Sequence, residues 1–142
     1  MITLFERSRF CPQIVVTETD SQRLRKLLAS LPSERRRELA GLELELARAH
    51  VVQSSEVPAD VVTMNSRVRF EEVHSGARTE ARLVYASVLE EGELSVLEPE
   101  GSALLGLSLG QAIDWRMPNG RLRRFRVTEV LYQPEAAGDL HL

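Results

Sequence analysis

Cysteine is nearly absent from this chain: Cys11 is the only one among 142 residues. A single thiol cannot close an internal disulfide, so a reducing, cytoplasmic setting is expected. A basic excess is missing too. The formal charge is −3, whereas a dedicated nucleic-acid binder draws much of its affinity from neutralised phosphates. No apolar run nears the roughly 18 residues that a membrane helix needs. The opening MITLFERSRF carries early charges and no long apolar stretch, which makes it a poor signal peptide. Aromatic residues make up 5% of the chain, too few for a confident aromatic ligand pocket.

Residues for metal and cofactor chemistry are also wanting. His50, His74 and His141 show no close ligand spacing with one another or with Cys11, so neither metal nor cofactor is expected. No nucleophile-elbow pattern occurs, and no histidine lies near Cys11 in sequence. Gly101, Gly106 and Gly110 fit neither the P-loop nor the dinucleotide fingerprint. They read as the end and turns of a small helix. The carboxylate pairs Glu71-Glu72 and Glu90-Glu91 read as solvated surface.

What is present divides the chain by pattern. Hydrophobic residues make up 43% and charged residues 27%, enough apolar material for one core. Residues 1–18 form a leader, in which Ile14 to Thr17 suits a short strand and Pro12 blocks a continuous helix. Residues 19–52 read as a helical hairpin. Thr19 and Gln22 have capping-box spacing. Leu24, Leu27, Leu28 and Leu31 then share one helical face. Pro32 ends that helix, Ser33 can cap the next and Glu34 sits in its first turn. Leu39, Leu42, Leu46 and Ala49 continue the stripe, and Leu44 is expected beside the seam. So short a connection makes the arms antiparallel neighbours.

Residues 57–142 are punctuated like antiparallel strands. Val61 to Asn65 is a short apolar stretch. Val68 and Phe70 precede the turn signal Ser75-Gly76, and Thr79 to Tyr85 alternates. Leu94 to Leu97 suits a short strand, and Ser102 to Leu107 one or two helical turns. Gln111 to Met117 and Leu122 to Tyr132 flank Asn119-Gly120, the strongest hairpin signal in the chain. This predicts about five strands and one small helix. Arginines cluster at Arg35-Arg36-Arg37 and at Arg121, Arg123, Arg124 and Arg126. They read as solvated faces, and arginine on a strand also discourages edge pairing. From the residues alone, the chain is an α+β interaction domain with a helical hairpin.

Three runs add a resemblance: VPADVVTMNSRVRF (Val57–Phe70), SALLGLSLGQAIDW (Ser102–Trp115) and LYQPEAAGD (Leu131–Asp139). In this order and spacing, they resemble the bacterial regulators of nucleoside diphosphate kinase, a family related to the GreA/GreB transcript-cleavage factors. The resemblance covers residues 57–139, and residues 19–52 in architecture only. It implies an α+β fold in which a short N-terminal antiparallel coiled coil precedes an FKBP-like antiparallel β domain. It also implies RNA polymerase as partner, bound beside its secondary channel, and a link to the level of nucleoside diphosphate kinase.

In Gre factors the contact loop carries an Asp-Ser-Pro pattern. The matching stretch here is Leu97-Glu98-Pro99, where only Pro99 agrees by type. Glu98, Pro99 and Glu100 are therefore the expected polymerase-binding residues. Gre-type cleavage also needs acidic residues at the coiled-coil tip. The tip here is Ser33, Glu34, Arg35 and Arg36, one acid followed by a run of arginines that repels a divalent cation. No enzyme activity is expected, and no sequence-specific nucleic-acid binding or membrane partner. The alternatives are a transcript-cleavage factor, a prolyl isomerase suggested by the fold alone, and a generic protein-interaction module. The leucine stripe and the leader leave a homo-oligomer open.

Overall fold

The computed structural model describes residues 10–140 and 142. Residues 1–9, which open the leader and carry the argument against a signal peptide, lie outside the described residues, as does His141.

The β-branched run at the end of the leader forms β1 (Val15–Thr17). It pairs in parallel with β2 (His50–Val52), placing Val15 opposite His50 and Thr17 opposite Val52. Parallel neighbours require a crossover. Three helices supply it: α1 (Glu18–Ala29), α2 (Ser33–Glu38) and α3 (Ala40–Arg48). The arms run antiparallel, with Arg25 of α1 reaching the carbonyl of Leu46 at 3.2 Å. Residues 50–52, expected to end the hairpin, instead form the strand that closes its base.

Both expected helix starts move. Thr17, not Thr19, caps α1: it leaves β1 in an extended conformation, and its hydroxyl accepts from the Asp20 amide. Gln22 reaches Glu18 instead, within the same face. Ser33 does not cap α2 but begins it, because the Arg36 amide bonds to the Pro32 carbonyl and makes Pro32 the cap position. The second arm also breaks at Leu39, whose backbone leaves the helical range between α2 and α3 while its side chain is buried. Leu44 faces solvent rather than the seam.

Beyond a 3-10 turn at Ser54–Glu56 come β3 (Arg67–Glu72), β4 (Arg78–Val84), β5 (Glu93–Ser95), α4 (Pro99–Leu104), β6 (Ala112–Arg116), β7 (Leu122–Tyr132) and α5 (Pro134–Ala137). The sheet order is β5-β4-β3-β7-β6. Alternation sets its faces: Val68, Phe70, Ala81, Leu83, Phe125 and Val127 turn inward and are buried. The predicted hairpins form, with Gly76 and Gly120 at positive φ in their turns. The pairing differs from a purely antiparallel domain at one edge, where β5 runs parallel to β4. A second short helix, α5, joins the expected one.

The molecule is thus mixed α+β, with N-terminal helices on a curled five-stranded sheet. One buried cluster unites Leu24, Leu28, Leu39, Leu42 and Leu46 with Val68, Leu83, Leu104 and Phe125. Glycines permit the close seams. A Cβ at Gly41 of α3 would lie 3.0 Å from the Trp115 ring, and one at Gly106 would lie 2.7 Å from Ile14 Cβ. Among the described residues, no helix is long and apolar enough to cross a membrane.

Candidate functional site

The turn between β5 and α4 is built to hold its shape. Leu97 is buried, so this position serves the core rather than offering an acid to a partner. Its amide donates to the Ser95 hydroxyl at 3.1 Å. The Ser102 hydroxyl donates to the Val96 carbonyl at 2.6 Å. A Cβ on Gly101 would stand 2.0 Å from the Ser95 carbonyl oxygen, so only glycine lets α4 seat here. Pro99 occupies the first turn of α4, where its missing N–H costs nothing. Glu98 is exposed, and Pro99 and Glu100 are half-buried.

Arg35 brings the hairpin tip to this turn. Its Nη2 donates to the Leu97 carbonyl at 3.2 Å and lies 4.0 Å from a Glu98 oxygen. Its Nη1 pairs with Glu38 at 2.9 Å. Arg36 points elsewhere and pairs with Glu43 of α3 at 2.7 Å. Ser33, Glu34 and Arg37 are exposed. Of the tip candidates, Arg35 is the one that meets the Leu97-Glu98-Pro99 turn. Beside Glu100 opens a groove of about 440 Å³ over Phe70, Leu94, Met117 and Phe125.

Two of the four arginines of the second cluster are engaged with the protein itself, whereas Arg121 and Arg123 are exposed. Arg124 makes two bonds to Asp114, at 2.8 and 3.3 Å, and its guanidinium lies 3.5 Å from the Phe10 ring centroid. Arg126 approaches Glu71 at 3.7 Å. On the outer sheet face Arg67 and Arg69 pair with Glu80, and Arg69 also with Glu129. No group of three or more potential metal ligands occurs among the described residues.

A buried polar knot escaped the sequence reading. Asp20 accepts from the Met64 amide at 3.0 Å and from the Tyr85 hydroxyl at 3.1 Å. Burial raises the Asp20 pKa above the usual carboxylate range; the Met64 amide opposes this, and the nearby Glu135 carboxylate adds to it. Burial, then the Asp20 charge, likewise push the Tyr85 phenol up. In sequence Asp20 shows only as a first-turn acid, and its partners lie far along the chain. It binds α1 to the sheet domain.

The domain architecture has known counterparts. Residues 57–132 match the family described as transcription elongation factor GreA/GreB, C-terminal, and residues 12–52 match the family described as Rnk N-terminus. A solved structure of a prokaryotic transcription elongation factor GreA/GreB from Nitrosomonas europaea superposes with a TM-score of 0.64 at 43% identity, covering 85% of this chain and 99% of that one. GreA of Syntrophus aciditrophicus (strain SB) is 32% identical over 98 residues, 68% of this chain and 60% of that protein. Together these define a regulator of the transcription-factor type. The regulator of nucleoside diphosphate kinase of Escherichia coli (strain K12) is 41% identical over 131 residues, 90% of this chain and 96% of that protein. The chain belongs to the family of regulators of nucleoside diphosphate kinase.

Proposed function

We propose that this protein regulates transcription by docking on RNA polymerase near its secondary channel, and that it performs no chemistry of its own. The observation that carries this reading is the Arg35 bridge, which lays the hairpin tip against the Leu97-Glu98-Pro99 turn. Pre-organisation of this kind lowers the cost of binding. Glu98 and Glu100 offer acids to a basic polymerase surface, and the groove beside Glu100 adds further carboxylates, among them Glu72, Glu80 and Glu93. The Escherichia coli relative is named for nucleoside diphosphate kinase. On this reading, the present chain sets the level of that enzyme through transcription.

The tip argues against transcript cleavage. Carboxylate oxygens suit magnesium, but Glu34 is followed directly by Arg35, Arg36 and Arg37. These cations would disfavour a metal held there.

Co-purification with core RNA polymerase tests the docking. The wild type should bind and compete with a Gre factor, and a Glu98→Arg/Pro99→Ala variant should bind about tenfold or more weakly. Failure of the wild type to bind at micromolar concentration would sink the reading. Cleavage of a backtracked complex that vanishes in Glu34→Ala would overturn the non-catalytic part.

A further inference from the structure

We propose that the protein pairs with a second copy of itself by exchanging an apolar finger for an apolar socket. The finger is the connection between β4 and β5. Val88 there is 87% exposed and Leu89 is 41% exposed, and the exposed acids Glu90 and Glu91 follow directly. A single exposed aliphatic residue needs no account. Two together at a loop end, backed by two carboxylates, form a defined shape with a defined charge.

The socket lies on the outer side of α1. Leu27, Tyr85, Arg23, Lys26 and Ser30 line a shallow, open apolar depression of about 390 Å³, and one end of the Arg23 guanidinium already donates to the Leu142 carbonyl at 2.8 Å. Long cationic side chains of this kind lay their stems along apolar surface and keep their charged ends in water. The Lys26 side chain has no hydrogen bond or ion pair among the described residues, and Lys26 is the only lysine in the chain. The socket is thus apolar with cations beside it, and the finger is apolar with anions beside it.

The two features adjoin, because Tyr85 is both a wall of the socket and the first residue of the finger loop. The exposure of Val88 shows that it does not fill its own chain's socket. A two-fold axis beside Tyr85 lets each copy give a finger and receive one, as an isologous interface requires. Val88 and Leu89 would meet Leu27 and Tyr85, and Glu90 and Glu91 would face Arg23 and Lys26. Two such insertions make a small interface, so association in the micromolar range is expected. Polymerase docking through Glu98 and Arg35 uses neither feature, so either proposal can fail alone.

Sedimentation equilibrium of the full chain, from micromolar to millimolar concentration, reads the association directly. The wild type should dimerise. Val88→Asp and Lys26→Glu should each weaken the dimer about tenfold or more, with unchanged circular dichroism. Lys26→Glu mixed with Glu90→Lys/Glu91→Lys should recover hetero-association. Carbodiimide coupling of mixed isotope-labelled and unlabelled protein should join Lys26 of one copy to Glu90 or Glu91 of the other. A monomer across the whole range, or a dimer indifferent to both single variants, would overturn the proposal.

Discussion

Arg35 Nη2 stands 3.2 Å from the carbonyl oxygen of Leu97, a residue 62 positions further along the chain. This contact lays the hairpin tip against the sheet domain rather than leaving it free. Arg35 is only partly exposed, and its bond to a neutral carbonyl is a modest one. Arg35→Ala should therefore lower global stability by less than about 1 kcal/mol. Its larger effect should be local. Amide exchange in residues 33–38 should quicken relative to α3, as measured by hydrogen–deuterium exchange. Unchanged exchange there would show that the contact does not hold the tip.

The Asp20 carboxyl carries a pH signature. Its pKa in the folded state lies above its ordinary value of 3.8. The folded protein then holds a proton that the unfolded chain releases. The stability from that proton is fully present below pH 3.8 and is lost as pH rises through the folded value. Asp20→Asn has no such loss, and its carbonyl can still accept from Met64. Its stability relative to wild type should rise from pH 3.8 toward neutrality in urea titrations. Asp20→Ala at neutral pH should cost about 1–3 kcal/mol, because the Met64 N–H and the Tyr85 O–H lose their acceptor. A pH-independent difference between Asn and Asp would refute the assignment.

Two glycines should answer the same substitution for different reasons. A Cβ at Gly101 meets the Ser95 carbonyl at 2.0 Å, so Gly101→Ala must displace α4 and should cost about 3 kcal/mol or more. Gly76 has open space around it but a φ of +74°. Gly76→Ala should cost only about 1–2 kcal/mol, through backbone strain. Thermal unfolding of both variants ranks them, and the reverse order would contradict the packing described.

Helical arms and sheet should unfold together, because Leu42 shares its cluster with Phe125 and Leu104. Leu42→Ala should cost about 2–5 kcal/mol. Trp115 fluorescence, which reports on β6, and far-ultraviolet ellipticity, which reports chiefly on the helices, should shift to the same new midpoint. Separate midpoints would mean that the arms fold independently.

Local pattern foretold the local structure. Val68 and Phe70 alternate into the core, and Asn119-Gly120 turns a hairpin, because neighbouring residues determine both. The parallel edge at β5 was not legible, since a strand of three residues carries no mark of its direction. Thr17 won the cap over Thr19 because β1 ends there, and β1 exists only through its pairing with the distant β2. Glu98, Pro99 and Arg35 were each visible as candidates. Their meeting was not, because the short tip passes for a free end until α3 is laid on α4. Asp20 was invisible for the same reason: burial of a first-turn acid is decided by Met64 and Tyr85.

The β1–β2 ladder closes the hairpin at its base, and Arg35 fastens it near its tip. An arm tied at both ends has a fixed reach. Adding helical turns between Ala29 and Leu39 would carry Arg35 away from Leu97 while the base stayed paired. A descendant of this fold could evolve a longer probe or keep the fastening, but the same Arg35 could not serve both.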